Sequence, residues 1–336
     1  MTRVNAHDVS PHVFNQPLGG NFMPRFAGTA TMFRLPAQAV SSGVTVGVVG
    51  VPLDIGTSNR AGSRFGPRQV RSESALIRPY NMATRAAPFE SFQVADLGDV
   101  PLNTYNLGAS IEIIERFYDE LVRHGVKPLS VGGDHTVTLP ILRALHRKHG
   151  PMALIHVDAH ADVNDEMFGE KIAHGTIFRR AIEEGLVDPT RMYQIGLRGT
   201  GYSAEDFDWT RSKGAVVVQA EQCWYRSLEP LMNEVRTHFG SKFPTYLSFD
   251  IDGLDPSVAP GTGTPEVGGL TAAQGLEVIR GAFGTDLVGA DLVEISPPYD
   301  VSGNTALLGA NLLFEMLCSF PECRRRTAAP NHLSSQ

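Results

Sequence analysis

Asp158, His160 and Asp162 occupy every second position of Leu154-Ile-His-Val-Asp-Ala-His-Ala-Asp162, directly after an apolar run. In an extended chain residues i, i+2 and i+4 point to one side. The end of a strand here therefore presents two carboxylates and an imidazole together. Uncompensated, such groups repel one another and are costly to desolvate. A divalent cation removes both problems, although a lone Asp-x-His-x-Asp suits a solvated loop equally well. Two further stretches favour the ion. In Ser130-Val-Gly-Gly-Asp-His135 the glycines let the backbone turn sharply after an apolar run, leaving His135 at the strand end. In Ser248-Phe-Asp-Ile-Asp252 the i, i+2 spacing recurs as Asp250 and Asp252. Six candidate ligands thus fall at the carboxyl ends of three predicted strands, where ligands gather in open α/β sheets.

Asp158, Asp162, Asp250 and Asp252 bring four negative charges, which two divalent ions balance. Metal pairs about 3.5–4 Å apart are a recurrent hydrolytic device. A donor set of carboxylates and two imidazoles, without thiolate, favours Mn²⁺ and also admits Ni²⁺, Co²⁺ or Zn²⁺. Water shared by two such ions is ionised near neutral pH, so no serine or cysteine nucleophile is required.

The elements that must position these groups follow from the pattern of apolar runs. Buried strands are expected at 44–51, 92–97, 127–131, 152–158, 192–195, 215–219, 245–249 and 287–293. Helices are expected from Pro67 and over 107–124, 139–148, 177–184, 228–239 and 307–317, with another opening at Thr271, where Gln274 gives a capping-box spacing. Strands lacking alternation and separated by helices indicate a mostly parallel sheet covered on both faces, a three-layer α/β/α sandwich. Residues 37–320 read as one domain. The 1–36 segment is too apolar for a solvated leader, with Phe22, Met23, Phe26, Met32 and Phe33, and is expected to pack on the domain or on a neighbouring subunit. Residues 321–336 read as a frayed tail. Arg60, Arg64, Arg68 and Arg71 suit structural ion pairs or a subunit contact better than an anion site.

The chain has 336 residues, 42% hydrophobic and 19% charged, and a net charge of −7, which argues against a nucleic-acid partner. Three unpatterned cysteines suit a reducing compartment, and neither a signal peptide nor a membrane-spanning run is evident. A cytoplasmic location is the expectation.

Gly132-Gly-Asp-His135, Asp158-Ala-His-Ala-Asp162 and Ser248-Phe-Asp-Ile-Asp252 together resemble the signature motifs of the ureohydrolase (arginase and agmatinase) family, a similarity running from about Pro17 to Leu317. Gln16-Pro-Leu-Gly-Gly20, Arg78-Pro-Tyr-Asn-Met-Ala-Thr84 and Asn164 to Gly175 resemble the branch acting on linear guanidino acids. The resemblance implies an arginase-like sandwich assembled as a homotrimer or hexamer. It implies one Mn²⁺ held by His135, Asp158, Asp162 and Asp250. The other would be held by Asp158, His160, Asp250 and Asp252, so that Asp158 and Asp250 bridge.

It further implies hydrolysis of a small guanidino substrate, 4-guanidinobutanoate foremost, to urea and 4-aminobutanoate. In that reaction a hydroxide between the ions attacks and Asp162 orients it. Glu294 and Thr264 hold the guanidinium, His174 protonates the leaving amine, and Asn164 contacts the substrate tail. From the residues alone several of these positions stay open. Glu294 suits either a guanidinium, with its paired N–H donors, or an internal salt bridge. His174 suits either proton transfer or a loop hydrogen bond. Thr264 lies in a glycine-rich turn, and Met167 either lines a tail pocket or packs in the core. Arg25 and Asn164 are candidates for the substrate carboxylate. Cys223, Trp224 and His124 read as structural. The competing functions are the same reaction on agmatine, 3-guanidinopropanoate, guanidine or a biguanide, a mononuclear zinc deacetylase, and a non-catalytic partner subunit.

Overall fold

The computed structural model describes residues 14–40, 43–203 and 205–326. The strands are β1 (Val46–Val51), β2 (Val94–Asp99), β3 (Lys127–Gly132), β4 (Met152–Val157), β5 (Val187–Leu197), β6 (Val216–Gln219), β7 (Pro244–Asp250) and β8 (Asp286–Val293). They form one sheet in the order β2-β1-β3-β8-β7-β4-β5-β6, and every pairing is parallel. Parallel strands need crossovers, and here most crossovers are helices. Alternate residues of each strand enter opposite cores. Val46 and Val48 of β1 join the core under helices Gly66–Glu73, Glu229–Phe239, Ala272–Gly281 and Asn304–Ser319. Val49 and Val51 join the core under helices Leu107–Arg123, Thr138–His149 and Ile177–Glu183. The sandwich has the three layers expected.

Thr271 caps its helix as the spacing indicated: Gln274 N–H donates to Thr271 Oγ1 (3.2 Å) and Thr271 N–H donates to Gln274 Oε1 (3.0 Å). Two short helices, Asp208–Ser212 and Ala220–Cys223, have too few residues to show a period and were not foreseen. β5 extends well beyond 192–195, because its first half carries Asp188, Pro189 and Arg191 rather than an apolar run.

Only part of the apolar N-terminal segment packs on the domain. Met32 and Phe33 are buried, with Met32 N–H donating to Asp96 Oδ2 (2.7 Å) and the Phe33 ring edge-on to Phe89 and Phe314. Phe22 and Phe26 remain 78% and 95% exposed. Residues 1–13 and 327–336 lie outside the described residues. At the other end, Arg324 and Arg326 hydrogen-bond to the 85–91 segment. Of the arginine cluster, Arg64 pairs with Asp54 and Arg71 sits between Asp96 and Asp99, while Arg60 rests over the Tyr299 ring. No helix among the described residues is long and apolar enough to cross a membrane.

Candidate metal centre

The non-sequential strand order sets β3, β8, β7 and β4 side by side. Their register aligns Val131, Leu292, Phe249 and Val157 in one row. One step beyond that row are Asp250, the last residue of β7, and Asp158, the first after β4. The strand expected over 152–158 therefore stops at Val157, and a turning loop, not strand alternation, gathers Asp158, His160 and Asp162. Asp162 adopts a left-handed backbone, φ 52°, which costs a non-glycine residue about 1–3 kcal/mol. In exchange its carboxylate turns back over the sheet edge.

The side chains form two sets. His135 Nδ1 lies 2.9 Å from Asp162 Oδ2, 3.2 Å from Asp158 Oδ2 and 3.3 Å from Asp250 Oδ2. His160 Nδ1 lies 3.3 Å from Asp252 Oδ2 and 3.4 Å from Asp158 Oδ1. Asp158 is thus shared, one oxygen to each set. Asp250 belongs by these contacts to the first set, its other oxygen accepting the Asp252 N–H (2.8 Å).

A tautomer argument shows what the first set lacks. Ser248 donates to Asp291 Oδ1 (2.7 Å), so its oxygen accepts the His135 Nε2–H (2.9 Å). Nδ1 is then left with a bare lone pair, buried, aimed at three carboxylate oxygens and without a hydrogen-bond donor. A proton or a cation must lie between them. Burial pulls His135 down, but Asp158, Asp162 and Asp250 outweigh it and hold the imidazole well above its ordinary value. Burial and the charges of Asp252 and Asp158 push Asp250 well above the carboxylate range. Keeping four carboxylates ionised at this edge requires positive charge, and two divalent ions would suit the two donor sets.

Several neighbours that hold these sets carry no sequence signal of their own. His156 Nε2 lies 2.8 Å from Asp158 Oδ2, and the Gln194 side-chain amide donates to His156 Nδ1 (3.0 Å). His156 therefore donates to Asp158 and orients it, although its ring lies close enough to be mistaken for a ligand. Asp134 accepts from Gly56 N–H (2.8 Å) and Thr136 N–H (2.9 Å), tying the loop after β1 to the His135 turn. Arg198 is buried and donates to the carbonyls of Asp252, Gly253, Leu254 and Glu266, binding the Asp252 turn to the loop that carries Thr264. Burial lowers its pKa.

The remaining predicted positions surround the same edge. Glu294 follows β8 with φ 63°; its Oε1 accepts the His135 N–H (2.9 Å) and lies 3.3 Å from His174 Nδ1. Its Oε2 has no hydrogen-bond partner among the described residues. A Cβ at Gly263 would stand 3.6 Å from that oxygen, so the glycine keeps the space in front of it open. Thr264 Oγ1 donates to Asp252 Oδ2 (3.2 Å). Met167, half-buried, and Asn164, exposed, lie against Gly175, next to His174.

Burial lowers the His174 pKa, yet the adjacent Glu294 carboxylate more than offsets this and raises it to about 9. The sign follows from the pair: an anion favours the imidazolium, so His174 keeps its proton from the ordinary 6.5 up to about 9. In metal-free protein the His174 ring resonance will titrate near that upper value, and Glu294→Gln will move it toward 6.5. An unmoved midpoint would contradict the pairing.

A parallel sandwich with paired carboxylate–imidazole sets at the carboxyl edge of its sheet defines a metal-dependent hydrolase. The Arginase family profile matches residues 44–318, and the chain belongs to that family. It is 65% identical over 315 residues to the guanidinobutyrase of Pseudomonas aeruginosa, covering 93% of this chain and 98% of that protein. It is 51% identical over 314 residues to the guanidinopropionase of the same organism, with coverage of 93% and 98%. Among solved structures it superposes on the proclavaminate amidino hydrolase of Streptomyces clavuligerus with a TM-score of 0.83 at 38% identity, covering 88% of this chain and 99% of that one.

Proposed function

We propose that this protein hydrolyses the guanidino group of a small linear guanidino acid, with 4-guanidinobutanoate as its preferred substrate, giving urea and 4-aminobutanoate. The observation that carries the proposal is the sharing of Asp158 between the His135 and His160 sets, the arrangement a pair of ions demands. The similarity to guanidinobutyrase supports the choice of tail. His135, Asp158, Asp162 and Asp250 would hold one ion, and Asp158, His160, Asp250 and Asp252 the other. The all-oxygen and imidazole donors favour Mn²⁺. When bound, the two ions supply a water ionised near neutral pH and a positive field over the developing charge.

The protein's own groups do the rest. Glu294 Oε2 accepts guanidinium N–H bonds and fixes the carbon over the shared carboxylate. Thr264 adds a hydroxyl beside Asp252. Asp162 orients the attacking water. His174, charged at neutral pH, gives its proton to the departing amine nitrogen as the C–N bond breaks, which removes the penalty of expelling an amide-like anion. Asn164 and Met167 flank the tail. Exposed Phe22 and Phe26 fit a contact between copies in a homo-oligomer, and three buried, unpaired cysteines fit a reducing cytoplasm.

The test is urea release from protein stripped with a chelator and reloaded separately with Mn²⁺ and Ni²⁺. The panel is 4-guanidinobutanoate, 3-guanidinopropanoate, agmatine, guanidine and a biguanide at equal concentration. Stripping will abolish turnover, and Mn²⁺ at about two ions per chain will restore it, fastest on 4-guanidinobutanoate. Preference for the cationic tail of agmatine would overturn the acid assignment. Full activity at one ion per chain would overturn the paired centre.

A further inference from the structure

The loop between β1 and the helix Gly66–Glu73 reads in sequence as an ordinary turn, Asp54-Ile-Gly-Thr-Ser-Asn-Arg60. In the fold it forms one wall of the site. Gly56 N–H is held by Asp134, and Gly56 O accepts the His174 N–H (3.0 Å). Asn59 Nδ2 donates to Gly263 O (3.0 Å) on the far side. A Cβ at Gly56 would meet Thr136 Cγ2 at 2.5 Å, so the close approach that sets this loop against the metal-side turn needs glycine.

Between these anchors, Ser58 meets the outer nitrogen of the His174 ring. Its Oγ lies 2.7 Å from Nε2, and its backbone N–H points at the same nitrogen at 3.2 Å, a hydrogen bond whenever Nε2 carries no proton. The inner nitrogen, Nδ1, faces Glu294 Oε1 at 3.3 Å. The ring is held at both of its nitrogens.

Resting on the proposed role of His174, we propose that Ser58 is its positioning residue, keeping the ring in one orientation in both of its protonation states. When His174 is charged, Nε2–H donates to Ser58 Oγ while Nδ1–H donates to Glu294. When the Nδ1 proton has gone to the departing nitrogen on the Glu294 side, the neutral ring keeps its Nε2–H on Ser58 Oγ. When the ring is neutral with its proton on Nδ1, Nε2 accepts from the Ser58 backbone N–H and hydroxyl. A hydroxyl joined to a backbone N–H supplies both an acceptor and donors at one place, which a carboxylate or an amide carbonyl cannot do. An imidazole that gives and regains a proton each turnover would otherwise lose its outer partner at every change of state. The loss would free it to swing about χ1 out of reach of the leaving nitrogen. The charged groups that act on this ring are Glu294, Asp162 and Asp134, and none of them touches Nε2. The outer nitrogen is left to Ser58.

The test uses full-length protein loaded with Mn²⁺, in Ser58→Ala, Ser58→Thr, His174→Ala and the Ser58→Ala/His174→Ala double variant. Ser58→Ala, which keeps the backbone N–H, will lower kcat on 4-guanidinobutanoate roughly tenfold and leave KM and metal content unchanged, because Ser58 does not touch substrate and only its hydroxyl's hydrogen bond to the charged His174 ring is lost. Ser58→Thr, which restores the hydroxyl, will recover most of the rate. In the His174→Ala background the Ser58 change will cost nothing further. A Ser58→Ala kcat within twofold of the parent, a purely additive double variant, or no recovery in Ser58→Thr would each overturn the proposal. A second readout does not depend on activity. In metal-free Ser58→Ala the His174 titration midpoint will fall relative to the parent, since the imidazolium loses an acceptor, and an unchanged midpoint overturns the proposal. Should the parent release no urea from any guanidino compound, the functional reading fails, and this titration still decides the role of Ser58.

Discussion

Asp158→Asn will reduce turnover by at least about 1,000-fold and lower the bound Mn²⁺ from two ions per chain to one or fewer. Oδ2 of Asp158 faces His135 Nδ1 at 3.2 Å and Oδ1 faces His160 Nδ1 at 3.4 Å, so this one carboxylate belongs to both donor sets. Asparagine keeps the volume but offers one neutral oxygen, and turns an N–H₂ donor toward whichever set it abandons. It also removes one of the four buried carboxylates that would hold the cations. The loss therefore falls on affinity as well as rate, and any rise in melting temperature on adding Mn²⁺ should be smaller than in the parent. Metal analysis of dialysed protein, beside urea release at saturating Mn²⁺, measures both effects. A variant that retained two tightly held ions and activity within tenfold of the parent would show that Asp158 is not shared.

Glu294→Gln will have the next largest effect, and of a different kind. Oε1 is occupied by the His135 N–H and the His174 ring, while Oε2 has no hydrogen-bond partner among the described residues and faces Gly263. A guanidinium placed there makes charge-assisted bonds of about 1.5–3 kcal/mol each. Replacing the acceptor with an amide forfeits roughly two of them, or about 10²–10⁴-fold in kcat/KM. The change also withdraws the anion that raises His174 to about 9, so kcat will fall along with the rise in KM. Metal content will stay at two ions, because Glu294 meets the centre only through the His135 backbone N–H. This separates it from Asp158→Asn. Unchanged kcat/KM in Glu294→Gln would remove Glu294 from substrate recognition.

The residue pattern by itself determined a good deal. Eight buried apolar runs placed eight strands, and the helix periods placed all but the shortest helices, because burial of one face imposes a local spacing that can be read without knowing what lies opposite. Thr271 and Gln274 marked a helix start for the same local reason. His135, Asp158, His160, Asp162, Asp250 and Asp252 were legible because carboxylates and imidazoles directly after apolar runs are costly unless something binds them.

Only the tertiary structure decided how these pieces meet. Nothing in the runs ending at 132, 157, 250 and 293 says that β3, β8, β7 and β4 are neighbours, since the pairing of strands far apart in sequence is set by the packing of the whole sheet. Asp162 and Glu294 take left-handed backbones that local propensity disfavours and only surrounding contacts enforce. Asp291, Ser248, His156, Gln194 and Ser58 are ordinary residue types in ordinary strands and loops. Each acquires its part only when folding brings it within about 3 Å of a candidate ligand, of His174, or of a residue that orients one of them, distances that no spacing along the chain encodes.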